Sequence, residues 1–557
     1  MIYITEKRAE KLSGLTSIFV SFNYNQQLIN LLKSNFPVYN YNTKTHAWEL
    51  PINRLAELLD LLTYIDDIKL KLYSEEQRVS NDPKLVENYK LKPFAYQEEG
   101  IKYGLTHDKW LLLDGMGLGK TAQMIGLARE LKAQRGLQHC LIICGLNTLK
   151  TNWKKEITKH SDESVRILGE KVNSKGNITY TSIPERANEL LNPIDDFFII
   201  TNIETFRDDK VVEAFKNSKN VIDMIVVDEV HRCKSKVSQQ GKNLLKLKAK
   251  YKVALTGTLL LNNPLDCYVP LVWTENDHST LTNFKNQYCT FGGFGGHEVV
   301  GFHDLDILKD ELDNCSLRRT KDLLDLPPKN IIYEYIDMED SHKKFYDAIK
   351  KGVKEEADKI ELKASNLLAL VTRLRQASVC PSILTTQQIQ SSKIKRCVEL
   401  TEDILSNNDK VVIMSTFKES AYEVAKLLQK YNPLVCTGDS SEAYINNAVD
   451  EFQNNPDRKI MIATWQKMGT GITLTAARYM IHLDTAWTYA LFDQTNDRIY
   501  RIGQDKPVFI YSLVCHDTID ERVKDILETK KSMADFILDD KVDDQAMAIL
   551  KEYIQDL

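Results

Sequence analysis

Ten short apolar runs constrain the fold of this 557-residue chain more than any other feature of its sequence. The runs are continuous rather than alternating, which is typical of strands buried on both faces of a parallel sheet with helices around it. They form two sets of five, at 110–114, 140–144, 196–201, 224–229 and 252–258, and then at 410–415, 433–438, 459–464, 478–484 and 507–514. The sequence therefore predicts an α/β fold with two parallel-sheet lobes.

The segments outside these two sets predict further domains. Residues 15–75 show a βαββα-like pattern of their own, and a charged stretch at 74–84 has the composition of a linker. The segment between the sets has mostly helical periodicity, interrupted by the glycine-rich "FGGFGGHEVVGF". We predict a small α+β domain at 1–80, a first lobe at 86–275, helical inserts at 276–390, and a second lobe with terminal helices at 391–557.

The composition argues against a membrane protein and against a disulfide framework. Of the residues, 43% are hydrophobic and 27% are charged, and no apolar run is long enough to cross a bilayer. The first residues lack the layout of a secretory signal, and the ten cysteines include no C-x-x-C pair. We expect a cytoplasmic protein in a reducing compartment. Because the net charge is −5, any binding of nucleic acid would need a local basic surface.

The stretch "LLLDGMGLGKTAQ" nearly matches a phosphate-binding loop, G-x-x-x-x-G-K-[ST]. Asp114 stands where the first glycine of that pattern belongs. Lys120 can reach the β- and γ-phosphates, and the Thr121 hydroxyl can contact Mg²⁺. The loop follows an apolar run and opens a helical pattern, which is the context that such a loop needs. Three glycines leave room for backbone N–H groups to converge on phosphate oxygens: Gly115, Gly117 and Gly119.

Two acids and two arginines further along the chain could complete a site for nucleotide hydrolysis. Asp228 and Glu229 end an apolar run, where an aspartate can hold Mg²⁺ and a glutamate can polarise an attacking water. Acids at a strand end also serve as caps or for solubility, so the pair alone is weak support. In "QTNDRIYRIGQ", Arg498 and Arg501 are spaced i and i+3 on a predicted helix. Their cationic face could reach a γ-phosphate, or it could be a solvated surface.

The order of these motifs resembles that of the Snf-type ATPases of helicase superfamily two, from about Lys92 to Leu527. The matching segments are "FAYQEEGIKYG", "DGMGLGKT", "LIICGLNTLKTNWKKEI", "DEVH", "LTGTLLLNNPLD", "ATWQKMGTGITLTAA" and "QTNDRIYRIGQ". In this family an aspartate usually stands at the position of Asp114. The chain departs from the family where Gly145 and Leu259 replace prolines and where Thr470 replaces a glycine or glutamate.

The resemblance implies two RecA-like lobes that bind and hydrolyse ATP with Mg²⁺. Its implied nucleotide ligands are Gln97, which would read adenine, the loop glycines with Lys120, and Gln494. It also implies that Thr121 and Asp228 hold Mg²⁺ and that Glu229 activates water. His231 would couple the γ-phosphate to the segment around Thr256, although a purely structural histidine is the alternative. Arg498 and Arg501 would complete the site from the second lobe.

Two further segments bear on a DNA partner. Eight lysines and arginines and no acid lie between 232 and 252. These residues could form a basic strip that contacts the phosphates of a nucleic acid, or they could belong to a solvated helix. The resemblance favours sequence-independent contact with double-stranded or forked DNA. Residues 1–80 weakly resemble the HARP module of annealing helicases, and a small domain that only packs on the motor is the alternative. Its similarity rests on Phe22, Tyr24, Asn25, Leu28, residues 43–45 and Trp48.

These features predict an ATP-dependent DNA translocase or remodelling motor, with a role in repair, replication or recombination. A strand-separating DNA or RNA helicase is one alternative, and a non-catalytic DNA-binding scaffold is another. Neither a membrane partner nor a particular protein partner is indicated by the sequence. The polymer preference stays open at this point.

Overall fold

The chain has the α/β architecture that the sequence predicts. The computed structural model describes residues 2–8, 16–22, 26–36, 39–43, 46–51, 54–63, 70–74, 83–145, 147–172, 178–257, 264–293, 295–296, 298–324, 326–359, 364–468, 472–486, 489–534, 549–555 and 557. Two compact units divide the chain: the first contains Met1–Gly115 and Gly119–Thr320, and the second contains Met116–Leu118 and Lys321–Leu557. None of the described helices is long and apolar enough to cross a membrane.

A small five-stranded sheet with two helices forms the N-terminal part. Its elements are β1 (Ile2–Arg8), β2 (Thr16–Phe22), α1 (Gln26–Asn35), β3 (Asn40–Asn42), β4 (Ala47–Pro51), α2 (Leu55–Thr63) and β5 (Leu70–Ser74). The strand order is β3-β4-β2-β1-β5, in which only β1 and β5 pair in parallel. This sheet has its own apolar core, which includes Leu28 and Trp48. Tyr24, Asn25 and positions 44–45 of the HARP-like pattern lie outside the described residues.

The first lobe is built on a seven-stranded, fully parallel sheet in the order β16-β6-β13-β12-β7-β11-β8. Its strands are β6 (Lys109–Leu112), β7 (His139–Cys144), β8 (Val165–Ile167), β11 (Phe198–Asn202), β12 (Ile222–Asp228), β13 (Tyr251–Leu255) and β16 (Ser316–Leu317). A separate hairpin joins β9 (Glu170–Val172) to β10 (Ile178–Tyr180). The five predicted strands are present, and apolar cores cover both faces of the sheet.

Helices surround this sheet and carry the chain from one strand to the next. They are α3 (Ala95–Thr106), α4 (Lys120–Arg135), α5 (Asn147–His160), α6 (Ile183–Leu191), α7 (Ile203–Phe206), α8 (Asp209–Lys216), α9 (Gln239–Leu244), α10 (Tyr268–Trp273), α11 (Leu281–Tyr288) and α12 (Leu305–Cys315). The glycine-rich interruption is a β-hairpin between β14 (Cys289–Gly292) and β15 (Glu298–Phe302). Its turn uses glycines with positive φ, which side-chain-bearing residues rarely adopt.

The second unit has a six-stranded parallel sheet in the order β17-β22-β21-β18-β20-β19. Its strands are β17 (Lys329–Ile336), β18 (Val411–Ser415), β19 (Leu434–Cys436), β20 (Ile460–Thr464), β21 (Tyr479–His482) and β22 (Val508–Cys515). Its helices are α13 (Asp340–Ala357), α14 (Ala364–Val379), α15 (Ser392–Ser406), α16 (Lys418–Leu427), α17 (Glu442–Asn454), α18 (Trp465–Met468), α19 (Tyr489–Asn496) and α20 (Ile519–Ala534).

The segment at 276–390, predicted to be mostly helical, also contributes strands to both sheets. β16 joins the first sheet and β17 joins the second, two strands that the helical periodicity of the segment did not predict. The side chains of β17 alternate in exposure over most of its length because it is an edge strand, and it therefore lacks a continuous apolar run. Its neighbours α13 and α14 pack with α20 around a separate apolar cluster that includes Tyr346 and Leu370.

Candidate active site

Three adjacent strands of the first sheet carry the predicted motifs at the same edge. The phosphate loop follows β6, Thr256 follows β13, and Asp228 with Glu229 ends β12. These strands are neighbours in the order β6-β13-β12 and all run in parallel. Their carboxyl ends therefore bring the loop, the hydroxyl and the two acids together, as ligand sites of open α/β sheets require.

The phosphate loop has the local geometry that an anion cradle needs. Gly117 and Gly119 have φ values of 83° and 73°, in the left-handed region that favours glycine. Helix α4 begins at Lys120, so its N-terminus points to the loop and favours a bound anion. The Lys120 ammonium donates hydrogen bonds to the carbonyl oxygens of Asp114, at 2.7 Å, and Gly115, at 3.2 Å.

Asp114 is a buried ion-pair partner and not a phosphate ligand. Its carboxylate accepts hydrogen bonds from Arg319 Nε at 3.0 Å and Arg319 Nη2 at 2.6 Å. Gln123 of α4 donates a third hydrogen bond to it at 2.9 Å. Arg319 also donates to the carbonyl oxygen of Tyr96, and its own carbonyl accepts from the N–H of Gly115 at 2.8 Å. Arg319 and Gln123 were not among the predicted site residues, because neither belongs to a nucleotide-binding pattern.

Gln97 lies beside the loop, at the start of α3. Its side-chain oxygen accepts a hydrogen bond from the N–H of Phe94 at 3.1 Å, which caps the helix. Its amide nitrogen lies so close to Gly119 that a Cβ atom there would approach to 2.4 Å. Gln97 also lines a cleft together with Pro93 and Ala122. This position suits contact with a base next to the phosphate loop.

Asp228 is a half-buried carboxylate that accepts a hydrogen bond from an indole. Trp153 of α5 is itself buried, and its Nε1 donates a hydrogen bond to Asp228 Oδ2 at 2.9 Å. Burial raises the pKa of Asp228 above its ordinary range, and the neighbouring Glu229 carboxylate adds to that shift. The Trp153 hydrogen bond and the Lys120 charge oppose it. Trp153 was also not predicted as a site residue, because a single tryptophan forms no recognisable sequence motif.

Glu229 adopts a left-handed backbone conformation, with φ 55° and ψ 49°. A non-glycine residue there is strained, and such strain persists only where the surroundings hold it. Gly145 is part of those surroundings, because a Cβ on it would lie 2.8 Å from Glu229 Cβ. The glycine that replaces the usual proline thus gives Glu229 its space. Glu229 Oε2 is buried and lies 3.3 Å from His231 Nδ1.

His231 of the DEVH box contacts the segment after β13. Its Nδ1 lies 3.1 Å from the hydroxyl oxygen of Thr256. Burial lowers the pKa of His231 to about 4, with Arg232 and Lys234 contributing, so the imidazole is neutral at pH 7. A neutral ring can donate at one nitrogen and accept at the other. Thr258 and Leu259 of the same segment lie outside the described residues.

Arg498 and Arg501 do not share a helix face, because α19 ends at Asn496. They lie instead in the turns that follow, so the predicted i, i+3 arrangement on a helix is wrong. Arg498 is buried, and its Nη1 donates a hydrogen bond to the carbonyl oxygen of Ile472 at 3.3 Å. Arg498 is therefore not part of a solvated surface. Arg501 and Gln494 are half-buried. Thr470 lies outside the part of the chain that the structure describes.

Comparison with known families agrees with this arrangement. The model of the SNF2-related domain matches residues 96–383, which is more than half of the chain, and that of the helicase conserved C-terminal domain matches residues 392–503. The chain belongs to the SNF2 family. It is accordingly an ATP hydrolase of that family, as the motif order implied.

Relatives of this SNF2 protein include an uncharacterized ATP-dependent helicase of Mycoplasma genitalium, 28% identical over 508 residues. That alignment covers 88% of the present chain and 46% of the relative. The DNA annealing helicase and endonuclease ZRANB3 of Bos taurus is 26% identical over 463 residues, with 80% and 40% covered. The chain thus spans less than half the length of either relative. Among solved structures, the Sulfolobus solfataricus SWI2/SNF2 ATPase core in complex with dsDNA is 25% identical in sequence and has a TM-score of 0.38. Its alignment covers 85% of the present chain and 98% of the Sulfolobus chain.

The basic residues that follow the DEVH box do not form a single strip in this SNF2 protein. Arg232 and Lys236 are exposed after β12, at the carboxyl edge of the sheet. Lys246 and Lys248 line a cleft beside the first residue of β12, at the opposite edge. Lys252 is buried in β13. The predicted continuous strip is therefore wrong, because the seven residues of β12 separate the two groups by roughly 20 Å.

The donors at the sheet edge fit a nucleotide with Mg²⁺. Lys120 supplies a cation that contacts carbonyl oxygens of the loop, and the two left-handed glycines leave backbone N–H groups room to converge. Thr121 offers a half-buried hydroxyl one residue into α4, and Asp228 offers a carboxylate. Mg²⁺ commonly takes one or two such protein oxygens and completes its shell with phosphate and water.

Proposed function

We propose that this SNF2 protein is a DNA-dependent motor that couples ATP hydrolysis to movement on double-stranded or branched DNA. The observation that carries the proposal is the meeting of the phosphate loop, the Asp228–Glu229 pair and the His231–Thr256 contact at one edge of one parallel sheet. That arrangement contains a cation for phosphates, two oxygens for Mg²⁺ and a carboxylate for water. It therefore favours an active motor over a non-catalytic scaffold.

In the proposed ATP-binding step, Lys120 exchanges its contacts with the loop carbonyls for the β- and γ-phosphate oxygens. Thr121 and Asp228 would hold Mg²⁺, which supplies charge neutralisation on the phosphates. Asp228 must be ionised to do so, and the Trp153 hydrogen bond favours that form. Gln97 would contact the adenine, since its side chain lies beside Gly119 of the phosphate loop.

In the proposed hydrolytic step, Glu229 orients the attacking water and accepts its proton at a carboxylate oxygen. Its left-handed backbone sets the direction of the side chain, because Gly145 and His231 enclose it. His231, which is neutral, would respond to the state of that carboxylate at Nδ1, which lies 3.3 Å from Glu229 Oε2 and 3.1 Å from the Thr256 hydroxyl oxygen. This path gives the acid box a physical connection to the segment after β13.

We assign Arg498 and Arg501 to the transition state, with Gln494 as a further nucleotide contact. An arginine supplied by a second lobe stabilises charge that develops on the transferred phosphoryl group, and it makes hydrolysis depend on approach of the lobes. The burial of Arg498 supports an ordered role for this segment, because a guanidinium is rarely buried without a function or a partner.

DNA as the polymer is supported by the relatives and by local charge. One relative is named a DNA annealing helicase, and others from Drosophila species are named DNA repair and recombination proteins. Arg232 and Lys236 are exposed near the acid box, where contact with a phosphate backbone would lie close to the hydrolytic site. Sequence-independent binding follows, since such contacts read the backbone and not the bases.

A reducing compartment such as the cytoplasm is proposed as the place of action. All ten cysteines are free and buried, and burial raises the pKa of thiols such as those of Cys233 and Cys397 to about 12. Buried thiols of this kind act as small apolar side chains and need no disulfide for stability.

The proposed function is tested by measuring ATP hydrolysis with single-stranded DNA, linear duplex, forked duplex and RNA at equal nucleotide concentration. We expect duplex or forked DNA to raise kcat most, without displacement of an annealed strand on a tailed duplex. Stimulation by RNA, or ATP-dependent displacement of the strand, would instead favour a strand-separating helicase. The same rate with and without every polymer would contradict a nucleic-acid motor.

A further inference from the structure

The short segment at which the chain passes from the first unit to the second carries two buried ion pairs. Arg319 and Lys321 stand on either side of Thr320, the last residue of the first unit. Each pairs with an aspartate of its own unit, and each aspartate adjoins a motif of the active site. Neither pair belongs to the residues that the proposed mechanism uses.

Arg319 forms an ion pair with Asp114, the residue at which the phosphate loop begins. It forms a two-point contact with Asp114, which is fully buried, while its side chain keeps only 9% of its surface exposed. Two further contacts tie it to Gln123 Oε1, at 2.7 Å, and to the backbone of Tyr96. The Tyr96 ring lies under the guanidinium, 5.4 Å from its carbon. The position of the loop therefore depends on where Arg319 is held.

Lys321 is paired with residues 497–501 of the second unit, here called the arginine segment because they include Arg498 and Arg501. Its ammonium forms an ion pair with Asp497, which directly precedes Arg498 and whose side chain is 2% exposed. The Tyr500 ring lies 5.7 Å from the same ammonium, and Lys329, the other nearby cation, pairs with Asp493 at 3.5 Å. Loss of Lys321 would leave the Asp497 carboxylate buried without a close cation, which is costly.

We propose that Arg319 and Lys321 are positioning residues that set the phosphate loop and the arginine segment through one short stretch of backbone. Two residues apart, their Cα atoms can separate by no more than about 7 Å. A displacement of the backbone at Thr320 is therefore shared by both ion pairs. The segment links the placement of Lys120 to that of Arg498 and Arg501.

The two halves of this proposal predict different kinetic defects. Arg319→Gln removes the two-point contact and leaves Asp114 buried without its cation, so the loop should lose its fixed position. We expect the affinity for fluorescent ADP to fall about tenfold or more, because small displacements of binding groups have large effects. Lys321→Gln should leave that affinity within about twofold while kcat falls about 10- to 100-fold, since the arginine segment acts on the transition state.

The measurement uses the full-length chain, with ADP binding by fluorescence, kcat and KM for ATP on duplex DNA, and the unfolding midpoint of each variant. Arg318→Gln is the matched control for the first position, because Arg318 is the adjacent, exposed arginine. Lys343→Gln is the control for the second, because Lys343 forms an exposed ion pair with Asp347 in the same unit. Both controls should keep wild-type kcat and ADP affinity.

Variants that fail to fold are replaced by milder ones. Arg319→Lys keeps the charge but cannot contact both oxygens of Asp114, and Asp497→Asn keeps the shape but removes the charge. Each should show the same defect as its partner variant, in weaker form. If folded Arg319 and Lys321 variants keep wild-type affinity and kcat and lose only thermal stability, the proposal is overturned.

This proposal rests on the transition-state role of the second-unit arginines, so Arg501→Ala is measured in parallel. A normal kcat for Arg501→Ala would contradict the proposed function itself. A low kcat for Arg501→Ala together with a normal kcat for Lys321→Gln would contradict only the positioning role of Lys321.

Discussion

The carboxylate of Asp228 must stay ionised in a half-buried site if it is to bind Mg²⁺. Its burial and the adjacent Glu229 raise its pKa, whereas the Trp153 indole and the Lys120 ammonium favour the charged form. Binding of Mg²⁺ requires that charged form, so Mg²⁺-dependent activity should decline on acidification at a higher pH than for an ordinary aspartate. The indole is thus a neutral side chain whose removal should change the pH profile.

We predict that Trp153→Phe moves the acidic limb of the kcat/KM profile to higher pH, because the lost hydrogen bond had lowered the Asp228 pKa. At pH 7 we expect a loss of up to about tenfold, as for other groups that orient a metal ligand. Trp110→Phe is the matched control, since Trp110 is an equally buried tryptophan of β6 whose Nε1 has no hydrogen-bond partner among the described residues. An unchanged profile for Trp153→Phe would show that the hydrogen bond does not tune Asp228.

Glu229 is expected to be needed for cleavage and not for binding. Glu229→Gln keeps the shape of the side chain but removes the base, so kcat should fall on the order of 10²- to 10⁴-fold. Equilibrium binding of ATP, followed by fluorescence, should remain close to that of the wild type. Failure of the variant to bind nucleotide would instead make Glu229 a structural residue, as its strained backbone next to Gly145 would then suggest.

At the scale of elements, the sequence predicted the interior of both sheets and missed three of their four edge strands. All ten predicted strands are present because strands covered on both faces are continuous apolar runs. The strands β8 and β16, of three and two residues, are too short to form such a run, and β17 alternates because one face is partly exposed. The motif residues at the carboxyl ends of the strands were also predictable, because each belongs to a local sequence motif. Arg319 and Trp153 were not, since their partners lie 205 and 75 residues away in sequence.

The segment after α19 gives the clearest difference between expected and observed elements. Helix α19 ends at Asn496. Asp497 and Arg498, which follow it, are buried, and Asp497 forms an ion pair with Lys321. Helical periodicity cannot predict this end, because the ion pair that favours the turn is made by a distant residue. The two arginines therefore differ in environment, with Arg498 buried and Arg501 half-buried.

Arg501 is the better candidate for direct action on the γ-phosphate because it is the more accessible of the two arginines. We predict that Arg501→Ala lowers kcat by about 10³-fold or more while ATP affinity changes little, as for an arginine that acts on transition-state charge. Rapid-quench kinetics and fluorescent nucleotide binding separate the two quantities. A parallel fall in affinity and turnover would make the arginine a contributor to ground-state binding.

At the scale of the whole molecule, the N-terminal sheet has the means to fold without the lobes. Leu58 and Leu62 pack into the small core of this sheet, together with Trp48. One described ion pair, Arg54 to Asp304 at 3.6 Å, joins the sheet to the rest of its unit. Both partners are about one-third exposed, and such pairs contribute roughly 0–1 kcal/mol. Removing residues 1–80 should therefore cost the lobes little stability.

We predict that a protein lacking residues 1–80 keeps ATPase activity stimulated by plain duplex but loses any preference for forked DNA. This outcome would follow if the HARP-like domain reads DNA structure. The ratio of kcat/KM on forked and linear DNA measures the effect, with the unfolding midpoint as a control for stability. An unchanged ratio together with a lower midpoint would identify the domain as a packing module instead.

The central claim is that duplex DNA drives ATP hydrolysis at the edge of the first sheet where Lys120 lies. The most direct measurement is the steady-state hydrolysis rate of the wild type and of Lys120→Ala, each with and without linear duplex. The account predicts a rate that rises with duplex in the wild type and falls on the order of 10²- to 10³-fold in Lys120→Ala, because one preorganised charge is lost. Near-normal turnover by Lys120→Ala, or a wild-type rate that duplex leaves unchanged, would contradict it.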